Sequence, residues 1–324
     1  MNYRDFFKLI NNRALQGAYL LYGDEEYIKE KAVKAVLDTV PAEMRAFNSA
    51  VLVDPPFPAV MENCETLPFF TDRRIVICRG TSQLENDEFY SYLEKLPAEA
   101  ILLIVVKGAL QERSVILKHF RKPGRDVLFS QLSTYDITDY CVRTASRQHV
   151  RLDSRTARFL AERVGTDMTA VNNELHKAID AAGEGGCITP ELVTECTTAN
   201  TEYRVFEMLD KFTSGNVSQG MRALHSMLAD ENEALGIAAF LESRFKLMLE
   251  ARLLLDSGLN ADKAVSKMEG NKYANKKACI AAKKYSADEL RSLIKKLSSV
   301  GYAKMNSGLK ANELTEDIML GFDW

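Results

Sequence analysis

The residues of this chain nearest in type to a cofactor-binding loop are Gly23-Asp24-Glu25-Glu26-Tyr27-Ile28-Lys29, set between a short apolar run and a helical stretch. A strand, a tight glycine turn and a helix can hold phosphate. That chemistry needs glycines for close backbone approach, a lysine to neutralise charge and a Ser or Thr for magnesium. Here there is no second glycine, no Gly-Lys pair and no Ser or Thr after Lys29. Asp24, Glu25 and Glu26 stand where phosphates would bind, so repulsion opposes ATP. The run Ile101–Val106 leads into Lys107-Gly108, not into paired acids that could hold magnesium. Two readings stay open: a phosphate-loop scaffold without its ligand, or an unrelated α/β domain whose Gly23 only closes a turn.

Other catalytic chemistry is thin. His119, His149, His176 and His225 are isolated from one another and from any nucleophile motif, which fits surface or capping roles. There is no G-x-S-x-G, H-E-x-x-H or calcium loop. The acidic pairs Asp24/Glu25 and Asp288/Glu289 are sequence neighbours, which diverge on a helix and share no proton. The six cysteines, 64, 78, 141, 187, 196 and 279, form no C-x-x-C and no zinc spacing with histidine. No catalytic residue, metal site or cofactor is expected.

Binding chemistry is richer. Leu67-Pro68-Phe69-Phe70-Thr71-Asp72-Arg73-Arg74 precedes the apolar run Ile75-Val76-Ile77. Pro68 breaks the preceding helix, pushes Leu67 toward extended geometry and fits best at a helix start. Two helical neighbours point about 100° apart, so one core face does not easily hide both rings. At least one Phe is a candidate for exposure at the tip of a short helix, where an aromatic anchor with charged neighbours makes a protein-binding hot spot. The plainer alternative places both rings in the core, one on each side of a bend. Between Lys272 and Lys304 nine Lys and Arg face only Asp288 and Glu289. Such a face, with Lys276, Lys277, Lys283 and Lys284, can meet phosphate backbones, and Tyr273, Tyr285 and Tyr302 could stack on bases. A solvated basic helix face is the alternative.

The elements that hold these residues follow from periodicity. Helices are predicted over 3–12, from about Tyr27 to Val40, over Ala59–Thr66, Glu85–Leu96 and Glu112–Phe120. Strands are predicted at Ala18–Tyr22, Phe47–Val53, Ile75–Cys78, Ile101–Val106 and Asp126–Phe129. This alternation argues for a parallel sheet covered by helices. From about Ser133 the strands stop. Asp153, Asp167 and Thr189-Pro190 read as helix starts, Met168, Val171, Leu175 and Ile179 as one buried face, and five or six longer helices run from Tyr203 to Leu320. Boundaries near 133 and 200 divide the chain into 1–133, 134–200 and 201–324.

Composition is compatible with two or three soluble domains in 324 residues, and a net charge of −3 gives no global pull toward nucleic acid or membrane. No run of about 18 apolar residues occurs, and Met1-Asn2-Tyr3-Arg4-Asp5 lacks the form of a signal peptide. Scattered cysteines suit free thiols in a reducing cytoplasm.

Taken in order, these pieces resemble the delta-subunit family of the bacterial DNA polymerase III clamp loader. Tyr19 to Ile28 is similar to that family's opening strand and degenerate phosphate loop, of which Gly23, Asp24 and Glu25 would be non-functional remnants. Leu67-Pro68-Phe69-Phe70 with Arg73-Arg74 is similar to its clamp-contacting element, with Phe at 69 where Leu is common. Gly165-Thr166-Asp167-Met168, Val171, Asn173-Glu174-Leu175 and Lys177 are similar to its second-domain signature, and Phe206, Leu209 and Asp210 fall near the start of its third domain.

The resemblance implies an AAA+-like α/β domain with a parallel sheet, a small helical lid and a helical collar. It implies no ATP hydrolysis and no enzyme activity by the subunit alone, within a nucleotidyltransferase holoenzyme that carries out DNA replication. It implies as partners the sliding clamp (beta subunit), the gamma/tau and delta prime subunits in a hetero-pentamer, and primer-template DNA. The clamp would be opened by an apolar wedge of Phe69 and Phe70, supported by Leu67 and rimmed by Thr71, Asp72, Arg73 and Arg74. The weighed alternatives are an active AAA+ ATPase of the loader and a helical nucleic-acid-binding protein using the basic C-terminal face.

Overall fold

A computed structural model describes every residue except 83, 85, 270 and 271, and the backbone but not the side chains of 231, 232, 272 and 273. The chain packs as two compact units, one formed by 1–162 with 166–197, the other by 163–165 with 198–324.

The first unit begins with α1 (Tyr3–Asn11), β1 (Gly17–Tyr22) and α2 (Glu26–Leu37). The helix α2 stops before Val40, which precedes Pro41 and is thereby biased out of helical geometry. A helical turn, α3 (Arg45–Asn48), precedes β2 (Ser49–Val53), so Phe47 is not in the strand predicted for it. Then come α4 (Phe57–Glu65), β3 (Arg74–Arg79), α5 (Asp87–Leu93), β4 (Ala100–Val105), α6 (Val115–Arg121) and β5 (Asp126–Leu128). Glu85, the predicted start of α5, lies outside the described residues; the helix is capped by Asn86, which accepts from the Phe89 N–H. Glu112 falls in a turn before α6, not in the helix.

All five strands are parallel, in the order β2-β3-β4-β1-β5. The central strands are buried on both faces, which is why they read as continuous apolar runs. On one face Ala18, Leu20, Val76, Cys78, Leu102 and Ile104 pack with Val60, Phe89, Ile116 and Phe120 from α4, α5 and α6. On the other, Phe6 of α1 meets Tyr19 edge to face at 5.3 Å. In a parallel sheet the loop after β1 and the loop before β3 lie at opposite strand ends, separated by one strand length, about 20 Å.

The helices α7 (Thr134–Arg147), α8 (Ser154–Val164), α9 (Met168–Ala182) and α10 (Pro190–Cys196) follow the sheet, and α7, α9 and α10 belong to the same unit as it. Ser133, Asp167 and Thr189 cap α7, α9 and α10 through their side chains. A hydroxyl network ties α2 to α7 and α9. Tyr140 Oη donates to Asn172 Oδ1 (2.7 Å) and accepts from Lys31 Nζ (2.6 Å), with Tyr27 Oη at 3.2 Å. The Lys31 ammonium also lies over both tyrosine rings, at 4.8 and 4.7 Å.

The second unit is helical among the described residues: α11 (Thr201–Thr213), α12 (Val217–Met227), α13 (Glu231–Asp256), α14 (Ala261–Lys267), α15 (Lys272–Ala281), α16 (Ala287–Ser307) and α17 (Ala311–Leu320). Its core joins Phe212, Leu241, Phe245, Leu293, Leu297 and Met319. Trp324 stacks on Phe212 at 4.3 Å and donates its indole N–H to the Met319 carbonyl.

Candidate protein-interaction site

The loop after β1 is folded shut on its own side chains. Gly23 has φ +119, and a Cβ there would lie 2.2 Å from the Phe129 carbonyl oxygen, so only glycine fits. Lys29 stands six residues after Gly23, the spacing by which a phosphate-binding lysine follows the first glycine of its loop. Its side chain is wholly buried. The Nζ donates to Gly23 O (2.9 Å), Val106 O (2.7 Å) and Glu26 Oε1 (2.8 Å). An ammonium has three donors, and these partners use all three. Glu26 Oε1 also accepts from Gly108 N–H. Glu25 is buried at the start of α2. Burial raises its pKa most, with Asp167 and Glu26 adding to the rise, while the Ile28 and Tyr27 N–H groups oppose it. The helix N-terminus therefore already faces a carboxyl group of its own chain. Asp24 alone of the three acids is exposed.

The opposite strand ends carry an apolar surface. The chain from Thr66 to Arg73 is a bent loop between α4 and β3, so Phe69 and Phe70 do not sit on the short helix predicted for them. Pro68 does end α4 by keeping Leu67 out of the helix, but the residues after it do not resume one. Phe70 is 82% exposed, Leu67 79% and Phe69 50%. Phe70 holds φ +53, a left-handed conformation uncommon for a bulky side chain. The Phe70 ring meets Phe69 edge to face at 4.4 Å, and Phe69 leans on Phe47 at 5.4 Å.

Phe47 is the member of this surface that sequence reasoning missed. The signal lay in strand order: β2 and β3 are parallel neighbours with Ser49 beside Ile75, so the segments entering them run side by side.

The loop is held from beneath by Asn48, which is fully buried. Its Oδ1 accepts from Phe69 N–H (2.6 Å), and its Nδ2 donates to Phe69 O (2.9 Å) and Met44 O (3.0 Å). Thr71 is half-buried, its hydroxyl donating to Arg73 O, and Asp72 is exposed. Arg73 donates to Arg13 O and is half-buried. Arg74 departs from the rim expected of it. It is buried and its guanidinium donates to the carbonyls of Phe47 and Asn63 and to Asn63 Oδ1. A guanidinium with five donors serves inward here because three acceptors converge on it.

The basic C-terminal face is thinner than its composition. Lys277 pairs with Asp210 and Lys284, though exposed, donates to Thr213 O; Lys276 and Lys283 are exposed as well. Tyr285 is buried against Phe322 and Trp324, which removes it as a stacking platform; Tyr302 is exposed. The side chains of Lys272 and Tyr273 lie outside the described residues. Among the described residues no group of His, Cys, Asp and Glu is arranged to hold a metal ion. No helix among them is long and apolar enough to cross a membrane. The buried thiols Cys64, Cys78 and Cys141 are pushed up to about 12 by burial.

A parallel α/β domain with a lysine-filled turn after β1, an exposed aromatic loop at the far strand ends and a separate helical unit define an α/β-then-helical protein with a candidate contact surface. A family model for the DNA polymerase III delta subunit matches residues 19–129, and a second, for the C-terminal domain of that subunit, matches 202–322. The chain belongs to this family, the delta subunits of the polymerase III clamp loader. The DNA polymerase III subunit delta of Bacillus subtilis is 24% identical over 331 positions, covering 98% of this chain and 95% of that protein. The solved Bacillus subtilis DNA clamp loader delta protein, YqeN, matches with a TM-score of 0.66 at 21% identity, covering 99% of each chain, and has the same α/β-then-helical fold.

Proposed function

We propose that this chain binds the sliding clamp and springs one interface of its ring with the apolar loop 67–70, without hydrolysing ATP itself. The observation that carries the reading is Phe70, a large ring almost fully exposed at a left-handed backbone position. Burying a large apolar side chain contributes about 1.5–3 kcal/mol. Phe70 has nearly all of that available, and Phe69 less, because Phe47 and Phe70 already cover half of it. A ligand shifts an equilibrium only by its differential affinity, so the wedge must meet the sprung interface better than the closed one.

The filled loop around Lys29 supports a scaffold in place of an ATPase. Within the loader, 134–200 acts as the lid and 201–324 as the collar that assembles with gamma/tau and delta prime. Of the four lysines of the basic face, Lys276 and Lys283 are left for primer-template DNA. Surface plasmon resonance with immobilised sliding clamp from the same genome tests the reading. Wild-type chain binds, and Phe70→Ala loses about thirtyfold or more in affinity, the 2 kcal/mol of a hot spot. A wild-type chain that does not bind, or a folded variant that binds equally, contradicts it.

A further inference from the structure

We infer that Asn48 is the positioning residue of the wedge: its side-chain amide fixes the Phe69 backbone so that Phe70 must project. This rests on the clamp-opening reading and names what holds its contact element in shape.

The geometry is that of a strand pairing made by a side chain. Asn48 Oδ1 and Nδ2 face the N–H and C=O of one residue, Phe69, at 2.6 and 2.9 Å. Two antiparallel bonds to a single residue fix both its position and its rotation about the chain axis. The amide is itself immobile, because it is fully buried and its second N–H is spent on Met44 O at 3.0 Å. Its backbone leads directly into β2, which is paired to β3 from Ser49 onward. A neighbouring tie, Arg74 to the Phe47 and Asn63 carbonyls, joins the same turn to the end of α4. The loop between α4 and β3 is thus clamped at its middle as well as at its two ends.

What the clamp opposes is the natural tendency of the loop. Adjacent exposed phenylalanines lower their free energy by folding back onto the protein, and a bulky residue leaves the left-handed region when nothing holds it there. Phe70 resides there immediately after the residue that Asn48 grips. Without the amide, the projecting conformer becomes one of several, and apparent affinity falls in proportion to its population.

The test is a double-substitution cycle in the full chain, read by surface plasmon resonance on immobilised sliding clamp, with hydrogen exchange of the Phe69 and β3 amides. Asn48→Ala is expected to weaken binding about tenfold and to release the Phe69 amide while the amides of Ile75, Val76 and Ile77 stay protected. In the Phe70→Ala background the same change should cost less than about threefold, since a positioning residue has little left to position. Asn48→Asp keeps the volume and the acceptor for Phe69 N–H but loses the Nδ2 donor, and is expected to weaken binding in the same direction. It serves as the test if Asn48→Ala does not fold. Full affinity in a folded Asn48 variant, with Phe70→Ala still weak, overturns the inference and leaves the wedge reading intact. Equal losses in both backgrounds, with β3 protection falling, make Asn48 a purely structural residue and also overturn it. If Phe70→Ala itself has no effect, the wedge reading fails and the inference with it.

Discussion

Lys29 Nζ lies 2.7 Å from the carbonyl oxygen of Val106 and 2.9 Å from that of Gly23, a lysine turned inward to join α2, the loop after β1 and the end of β4. Lys29→Met is therefore expected to leave the carbonyls of Gly23 and Val106 without this donor, and Glu26 with the Gly108 N–H alone. The cost should be about 1–3 kcal/mol of folding stability for each carbonyl left unsatisfied. Urea denaturation of the full chain measures it. An unchanged midpoint would mean that the lysine is not structural and is available for a ligand.

Glu25 gives a pH signature. Its folded pKa is raised above the ordinary 4.5, chiefly by burial. The folded state then holds its proton more tightly than the unfolded state, so this group's contribution falls as pH rises through 4.5 toward the folded value. Glu25→Gln should be more stable than wild type at neutral pH, with the difference shrinking as pH falls from the folded value toward 4.5 and absent below it. Thermal midpoints of both proteins between pH 4 and 7 show it; a variant less stable at pH 7 contradicts the sign.

Phe70 trades stability for contact. Phe70→Asn removes a bulky side chain from φ +53, where asparagine is tolerated. Relief should reach about 1 kcal/mol and raise the thermal midpoint, while clamp affinity falls. A lower midpoint would show that the exposed ring contributes to the fold.

Arg73 and Arg74 separate by burial. Arg74→Ala strips the carbonyls of Phe47 and Asn63 of their donor and is expected to cost about 2–3 kcal/mol in urea denaturation. Arg73→Ala, at a half-buried position with one backbone acceptor, should cost less than half as much. Equal effects would contradict the burial difference.

The parallel sheet was legible because its central strands are buried on both faces and so stand out as apolar runs, Ile101–Val106 above all. The acidic turn after β1 was legible too, in Asp24, Glu25 and Glu26. The inward lysine was not, because one of its acceptors, the Val106 carbonyl, is distant in sequence. Phe69 and Phe70 were legible as a candidate surface, but not as a loop. A proline ends a helix without dictating the conformation of the residues after it, and the clamp from Asn48 depends on β2 lying beside β3. Arg74 misled because burial of an arginine depends on three convergent acceptors that spacing does not reveal.

Opening of the clamp by the exposed rings, as proposed, can be read from fluorescence at one clamp interface. Two dyes placed across one interface quench each other in the closed ring. Wild-type chain, added without ATP, is expected to relieve the quenching, and Phe69→Ala/Phe70→Ala is expected to leave it in place at any concentration at which it remains folded. Relief of quenching by the double variant equal to that by wild type, or wild-type binding without any relief, would contradict the account.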